Sequence, residues 1–156
     1  MPFYSTKTYT HAEGLSCCFR QWRASHSHCR FLHGYALSIE LRFEADQLDE
    51  RRWVVDFGGM KDVKILLHDL FDHTTLVAAD DPELPRFRGL SDAGLIDLRV
   101  VADVGCEAFC LLVYEHVHAW LARYEPSVGS PRVSLASVEI REHQGNAARY
   151  EPGTLR

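Results

Sequence analysis

Between Ala36 and Phe43, apolar and polar residues alternate strictly: Leu37, Ile39, Leu41 and Phe43 against Ser38, Glu40 and Arg42. A period of two predicts a strand with one buried and one wet face. Phe3–Thr10 and Leu15–Phe19 predict shorter strands, and Trp53–Phe57 a strand end that delivers Asp56. The period then changes. Val63, Leu66, Leu67, Leu70 and Phe71 form one stripe at helical spacing, which predicts a helix over Met60–Phe71. From Asp80 to Asp92 two prolines and several turn formers predict a loop. A second helix is expected from Cys106 to Tyr124, with Phe109, Val113, Val117 and Trp120 on one face, ended by the stretch Pro126 to Pro131. Val133–Ile140 reads as a last strand, and the polar tail from His143 as irregular.

This order predicts an α+β chain forming one domain over residues 1–156, with two helices on one face of an antiparallel sheet. Such a sheet leaves edges to cover, so self-association is expected. Composition narrows the function class. Hydrophobic residues make up 46% and charged residues 25%, ordinary for a globular chain. A net charge of −5 with scattered basic residues argues against general nucleic-acid binding. No stretch approaches the ~20 apolar residues of a membrane span, and the N-terminus lacks a basic-then-apolar leader, so a cytoplasmic location is expected. In that compartment the five cysteines are expected as free thiols or ligands. Nine histidines are more telling: His11, His26, His28 and His33 are interleaved with Cys17, Cys18 and Cys29.

Three places can carry chemistry. Cys29 and His33 stand at the mouth of the alternating strand, where the cysteine can be a nucleophile, a proton-transfer group, a metal ligand or a small core residue. Asp72–His73 follows the first helix; a carboxylate beside an imidazole can hold one tautomer and raise its basicity if the side chains meet. Glu142 ends the last strand, where a carboxylate can take two parallel hydrogen bonds from a guanidine-like heterocycle edge, or simply sit exposed.

Taken in order, CRFLHGY at 29–35, WVVDF at 53–57, FDH at 71–73, CE at 106–107 and REH at 141–143 with Tyr150 eight residues after Glu142 resemble the 6-pyruvoyl-tetrahydropterin synthase family. The resemblance is strongest to its bacterial 6-carboxy-5,6,7,8-tetrahydropterin synthase branch, and its main interruption is a long connection from Asp80 to Asp103. It implies a tunnelling fold, a four-stranded antiparallel sheet with two helices on one face, closing into an oligomeric barrel. A hexamer built as a dimer of trimers, with active sites between subunits, goes with that fold. It also implies zinc, a pterin substrate and a lyase reaction: 7,8-dihydroneopterin triphosphate yields 6-carboxytetrahydropterin, acetaldehyde and triphosphate on the way to queuosine and other 7-deazaguanines. The alternatives are the pyruvoyl-forming reaction, or pterin or purine binding without turnover.

Carried onto this chain, the resemblance makes Cys29 the proton-abstracting base, Asp72 and His73 the proton-transfer pair, and Glu142 the pterin anchor, with Glu107 also at the substrate. The metal position departs from the family pattern. His33 is kept, but Tyr35 stands where His-Gly-His should close, and the first histidine position falls at or near Cys18. Of Cys17 and Cys18 only one can face the site, and the expected zinc set is Cys18, His33 and His28, with His26 or His11 as the alternative third ligand.

Overall fold

The protein is described from a computed structural model covering residues 1–124 and 131–153. The expected stop at Pro126 to Pro131 therefore lies outside the described residues, apart from Pro131 itself. The described elements are β1 (Phe3–Tyr9), β2 (Leu15–Phe19), β3 (His33–Ala45), α1 (Lys61–Phe71), β4 (Thr74–Ala78), α2 (Leu84–Asp92), β5 (Asp97–Val101), α3 (Cys106–Tyr124), β6 (Val133–His143) and β7 (Asn146–Tyr150).

The long strand β3 organises the rest. Its C-terminal part pairs antiparallel with β1 on one side and β6 on the other, and β7 continues from β6. An antiparallel sheet was expected from the alternation, and β1, β3 and β6 supply it, while β7 lies in the tail expected to be irregular. The alternating residues Leu37, Ile39, Leu41 and Phe43 of β3 are fully buried. They share one hydrophobic core with Val63, Leu67 and Phe71 of α1 and with Phe109, Val113 and Val117 of α3, so both helices cover the same face. Helical spacing decided this correctly because each stripe spans several turns.

The sheet is also wider than four strands. The N-terminal part of β3 pairs antiparallel with β2, β2 pairs parallel with β4, and β4 pairs parallel with β5. The segment expected as a loop, Asp80 to Asp92, thus contains α2, and the long connection that runs on to Asp103 also contains β5. Its prolines misled because Pro85 sits in the first turn of α2, where the missing N–H costs nothing. Asp81 anchors this excursion: its side chain accepts from the Glu83 amide at 2.8 Å and from Nε and Nη2 of Arg20 at 2.8 and 2.6 Å.

Two further expectations change. Trp53–Phe57 is not a strand, since the Arg132 guanidinium takes the place of a strand partner. It donates to the carbonyls of Gln47, Trp53 and Val54 at 3.1, 3.3 and 2.9 Å. Asp56 caps the short 3-10 turn Phe57–Gly59 through the Gly58 amide. The tail from His143 is not irregular: a turn at Gln144–Gly145 folds it back as β7, with His143 facing Asn146.

Candidate active site

Cys29 occupies a 3-10 turn, His28–Arg30, which leads into β3. Ser27 Oγ accepts from the Cys29 amide at 3.1 Å, and the Cys29 carbonyl accepts from the Gln21 amide at 2.8 Å. The thiol is half-exposed, which removes the reading of Cys29 as a core filler. Together with His28, Phe31, His33 and Tyr35 it lines a depression of about 530 Å³.

Tyr35 is the hub of this place. Its ring lies 5.5 Å from that of His33, 6.3 Å from Phe19 and 6.4 Å from His143. Burial, then the negative Glu142 carboxylate, holds its phenol above the usual range, so it stays protonated and can donate. Glu142 arrives from the far end of β6 at an irregularity in its ladder with β7: Arg141 and His143 have partners, and the extra residue between them is Glu142. It lies against Cys106 at the start of α3; burial, then Glu142, pushes the Cys106 thiol up to about 12. Cys106 is thus an inert neutral group there, and Glu107 beside it stays exposed in the first helical turn. One chain therefore brings Tyr35 within electrostatic reach of both Cys29 and Glu142.

Asp72 and His73 are placed elsewhere. Asp72 caps α1, and its Oδ1 accepts from His73 Nδ1 at 2.5 Å, so the two side chains do meet. His73 is 90% exposed and borders a second depression with Ser16, Cys18, Gly34, Ala36 and Thr75. Ser16 and Cys18 alternate with the buried Leu15, Cys17 and Phe19, so they belong to the sheet face away from the helices. Within a single chain His73 does not share the Cys29 depression.

The zinc set expected at Cys18, His33 and His28 is not brought together either. In the β2–β3 register Cys17 faces Tyr35, Cys18 faces Gly34 and Phe19 faces His33. Cys18 therefore points away from His33, toward the hydroxyl of Thr75 at 3.2 Å. Cys17 shares the face of His33 and Tyr35, but burial pushes its thiol up to about 12, disfavouring the thiolate that binds metal. His33 commits Nδ1 to the Phe31 carbonyl at 2.7 Å, and His28 is exposed beside Phe31. Among the described residues no three His, Cys, Asp or Glu side chains are arranged to hold a metal ion. The donors of one chain do not fit a three-ligand zinc site.

Arg20, Arg23 and Arg30, the nearby cations, are engaged as well. Arg20 pairs with the buried Asp81, Arg23 with Asp80, and Arg30 donates to the Ser25 carbonyl at 2.7 Å. Sequence reasoning missed Tyr35 as the hub, because only its fitness as a metal ligand was weighed. It also missed His68, which joins Asp72 to Glu13. The signal for His68 was its position four residues before Asp72 on one helix face.

Known proteins agree with this fold. A family model described as 6-pyruvoyl tetrahydropterin synthase matches residues 8–153. The 6-carboxy-5,6,7,8-tetrahydropterin synthase of Rickettsia felis is 39% identical over 57 residues, which are 36% of this chain and 41% of that protein. Its Rickettsia conorii counterpart is 37% identical over the same lengths, so the chain matches under half of these curated relatives. Among solved structures, the uncharacterized protein WS1659 from Wolinella succinogenes superposes with a TM-score of 0.79 at 19% identity, covering 98% of this chain and 99% of that one. The 6-pyruvoyl tetrahydropterin synthase of Plasmodium falciparum gives 0.61 at 13% identity over 96% of both chains. No helix among the described residues is long and apolar enough to cross a membrane. With a model match across nearly its whole length, this chain belongs to the 6-pyruvoyl tetrahydropterin synthase family.

Proposed function

We propose that the chain grips the pyrimidine edge of a reduced pterin with Glu142 and acts as a 6-carboxy-5,6,7,8-tetrahydropterin synthase. In that reading 7,8-dihydroneopterin triphosphate becomes 6-carboxytetrahydropterin, acetaldehyde and triphosphate, feeding queuosine and other 7-deazaguanines. One observation carries it: Tyr35, which lines the Cys29 depression, also feels the Glu142 carboxylate, so one tyrosine links the proposed base to the proposed anchor. A pterin offers a ring N–H and an amino group side by side, a match for two parallel bonds to a carboxylate. The protonated Tyr35 hydroxyl donates to an oxygen of the substrate side chain, and Cys29 removes a proton from that side chain. Asp72 and His73 hand protons on from a second copy of the chain, as expected for sites between subunits in a hexamer. No step is routed through zinc, whose donor set does not fit.

That misfit favours a second reading, pterin binding without turnover. Incubation with 7,8-dihydroneopterin triphosphate, with and without added zinc or a chelator, separates the cases. Acetaldehyde with triphosphate supports the proposal. Triphosphate alone assigns the pyruvoyl-forming reaction, and neither product with retained neopterin binding assigns a binding module. Glu142→Gln is expected to weaken neopterin binding by about 10- to 100-fold, since one charge-assisted acceptor becomes a donor; fluorescence titration measures it. Unchanged affinity would remove Glu142 from the ligand.

A further inference from the structure

The corner between α1 and β4 holds a chain of charged groups of which the proposed reaction uses only the end. Lys64, His68 and Asp72 follow one another at intervals of four residues along α1 and its cap. Glu13, in the short turn His11–Glu13 between β1 and β2, reaches this stripe from outside. Its Oε1 accepts from Lys64 Nζ at 2.8 Å and faces His68 Nε2 at 3.0 Å. The other ring nitrogen, His68 Nδ1, faces Asp72 Oδ2 at 2.9 Å, and Asp72 Oδ1 faces His73 Nδ1 at 2.5 Å. His73 itself is pinned with φ at 58° while its amide donates to the Ser16 carbonyl at 2.7 Å. A non-glycine residue holds that left-handed conformation only when its surroundings fix it.

Both nitrogens of His68 therefore meet carboxylate oxygens. A neutral imidazole carries one N–H and would turn a lone pair toward one of them, whereas the imidazolium donates to both. We infer that His68 is a positioning residue: as a doubly donating imidazolium between Glu13 and Asp72 it orients the Asp72 carboxylate, which in turn fixes His73 as the Nδ1–H tautomer with Nε2 presented to the depression before it. The inference deepens the reading above and rests on it only for the reaction that His73 serves.

Charge arrangement agrees. The hydrogen bond to Glu13, then that to Asp72, holds His68 above its ordinary value; His68, then His73, hold Asp72 below the usual carboxylate range; His68, then Lys64, lower Glu13. Tyr9, pushed up to about 12 by burial and then by Glu13, also borders this corner and stays neutral throughout. The raised imidazole stabilises the fold fully below 6.5, and this contribution is lost as pH rises through its folded value. The lowered carboxylates stabilise it above their unfolded values of 3.8 and 4.5, and that contribution is lost as pH falls through their folded values. Thermal midpoints are thus expected to peak between these limits, and His68→Gln is expected to flatten the alkaline side of the peak.

The deciding experiment is long-range proton–nitrogen correlation NMR on the full chain labelled at histidine nitrogens. At pH 6.5 His68 is expected to carry protons on both nitrogens, and neutral His73 to be the Nδ1–H tautomer. Glu13→Gln should return His68 toward an ordinary titration, and His68→Gln should mix the His73 tautomers while the backbone spectrum persists. A neutral His68, or a His73 tautomer indifferent to both variants, overturns the inference. These readouts need no turnover, so an inactive protein refutes the proposed reaction without touching this result. In active protein, His68→Gln is expected to lower kcat by about tenfold with KM within about twofold, part of the 10²–10⁴ that a placed acid–base group supplies. Equal loss through KM alone would refute positioning.

Discussion

Cys29→Ala is expected to cut turnover of 7,8-dihydroneopterin triphosphate by about 10²–10⁴-fold, the contribution of a positioned proton-transfer group, while neopterin binding stays within about twofold. The split follows from how the residue is held. Its turn is fixed by backbone groups, the amide to Ser27 Oγ and the carbonyl to the Gln21 amide, neither of which involves sulfur. Losing the thiol leaves the turn, the Tyr35 ring and Glu142 in place. A hydroxyl has a far higher pKa than a thiol, so Cys29→Ser should recover little of the rate. Turnover within threefold of the parent in Cys29→Ala would assign proton removal to another group, with Tyr35 next to be replaced.

Gly34→Ala is expected to cost about 3–5 kcal/mol, or to prevent folding, because it produces a backbone collision rather than a loss of contacts. A Cβ at residue 34 would lie 2.3 Å from the Cys17 carbonyl oxygen and 3.2 Å from the Cys18 Cα. Both neighbours are backbone of β2, locked between β3 and β4, so neither can retreat cheaply. Denaturant unfolding monitored by tryptophan fluorescence measures the loss. Gly89→Ala, where a new Cβ meets nothing within 4 Å, serves as the control and should stay within about 0.5 kcal/mol or gain stability. A mild effect at residue 34 would mean that β2 and β3 are not paired in this register.

The elements that declared themselves in the sequence were those whose side chains repeat over several turns or pleats. β3, α1 and α3 were legible from Leu37 to Phe43, from Val63 to Phe71 and from Phe109 to Trp120, because periodic burial leaves a periodic sequence. What stayed hidden depended on single partners far away in the chain. Arg132 satisfies the carbonyls near Trp53 and so removes a strand that local composition suggested. Asp81 and Arg20 hold a helix in what read as a proline-rich loop. At the site, residue types were legible and facing was not. Asp72–His73 was legible as a pair because it follows directly on the end of α1, and the two side chains do meet. The choice between Cys17 and Cys18 depends on a register of one residue, which counting along the chain cannot fix. The Glu13–His68 contact joins a turn to a helix more than fifty residues away, and no spacing rule reaches that far.

β3 borders β1, β2 and β6, so three ladders must wait for one strand. During synthesis its apolar face emerges roughly sixty residues before α3 can finish covering it, and roughly a hundred before β6 can pair along its edge, a long delay for non-local contacts. Until then Leu37, Ile39, Leu41 and Phe43 lie open to other nascent chains. The protein's yield in a cell is therefore governed by how fast its last third arrives, and slowed translation after residue 45 should divert it into aggregates even though the finished fold is unchanged.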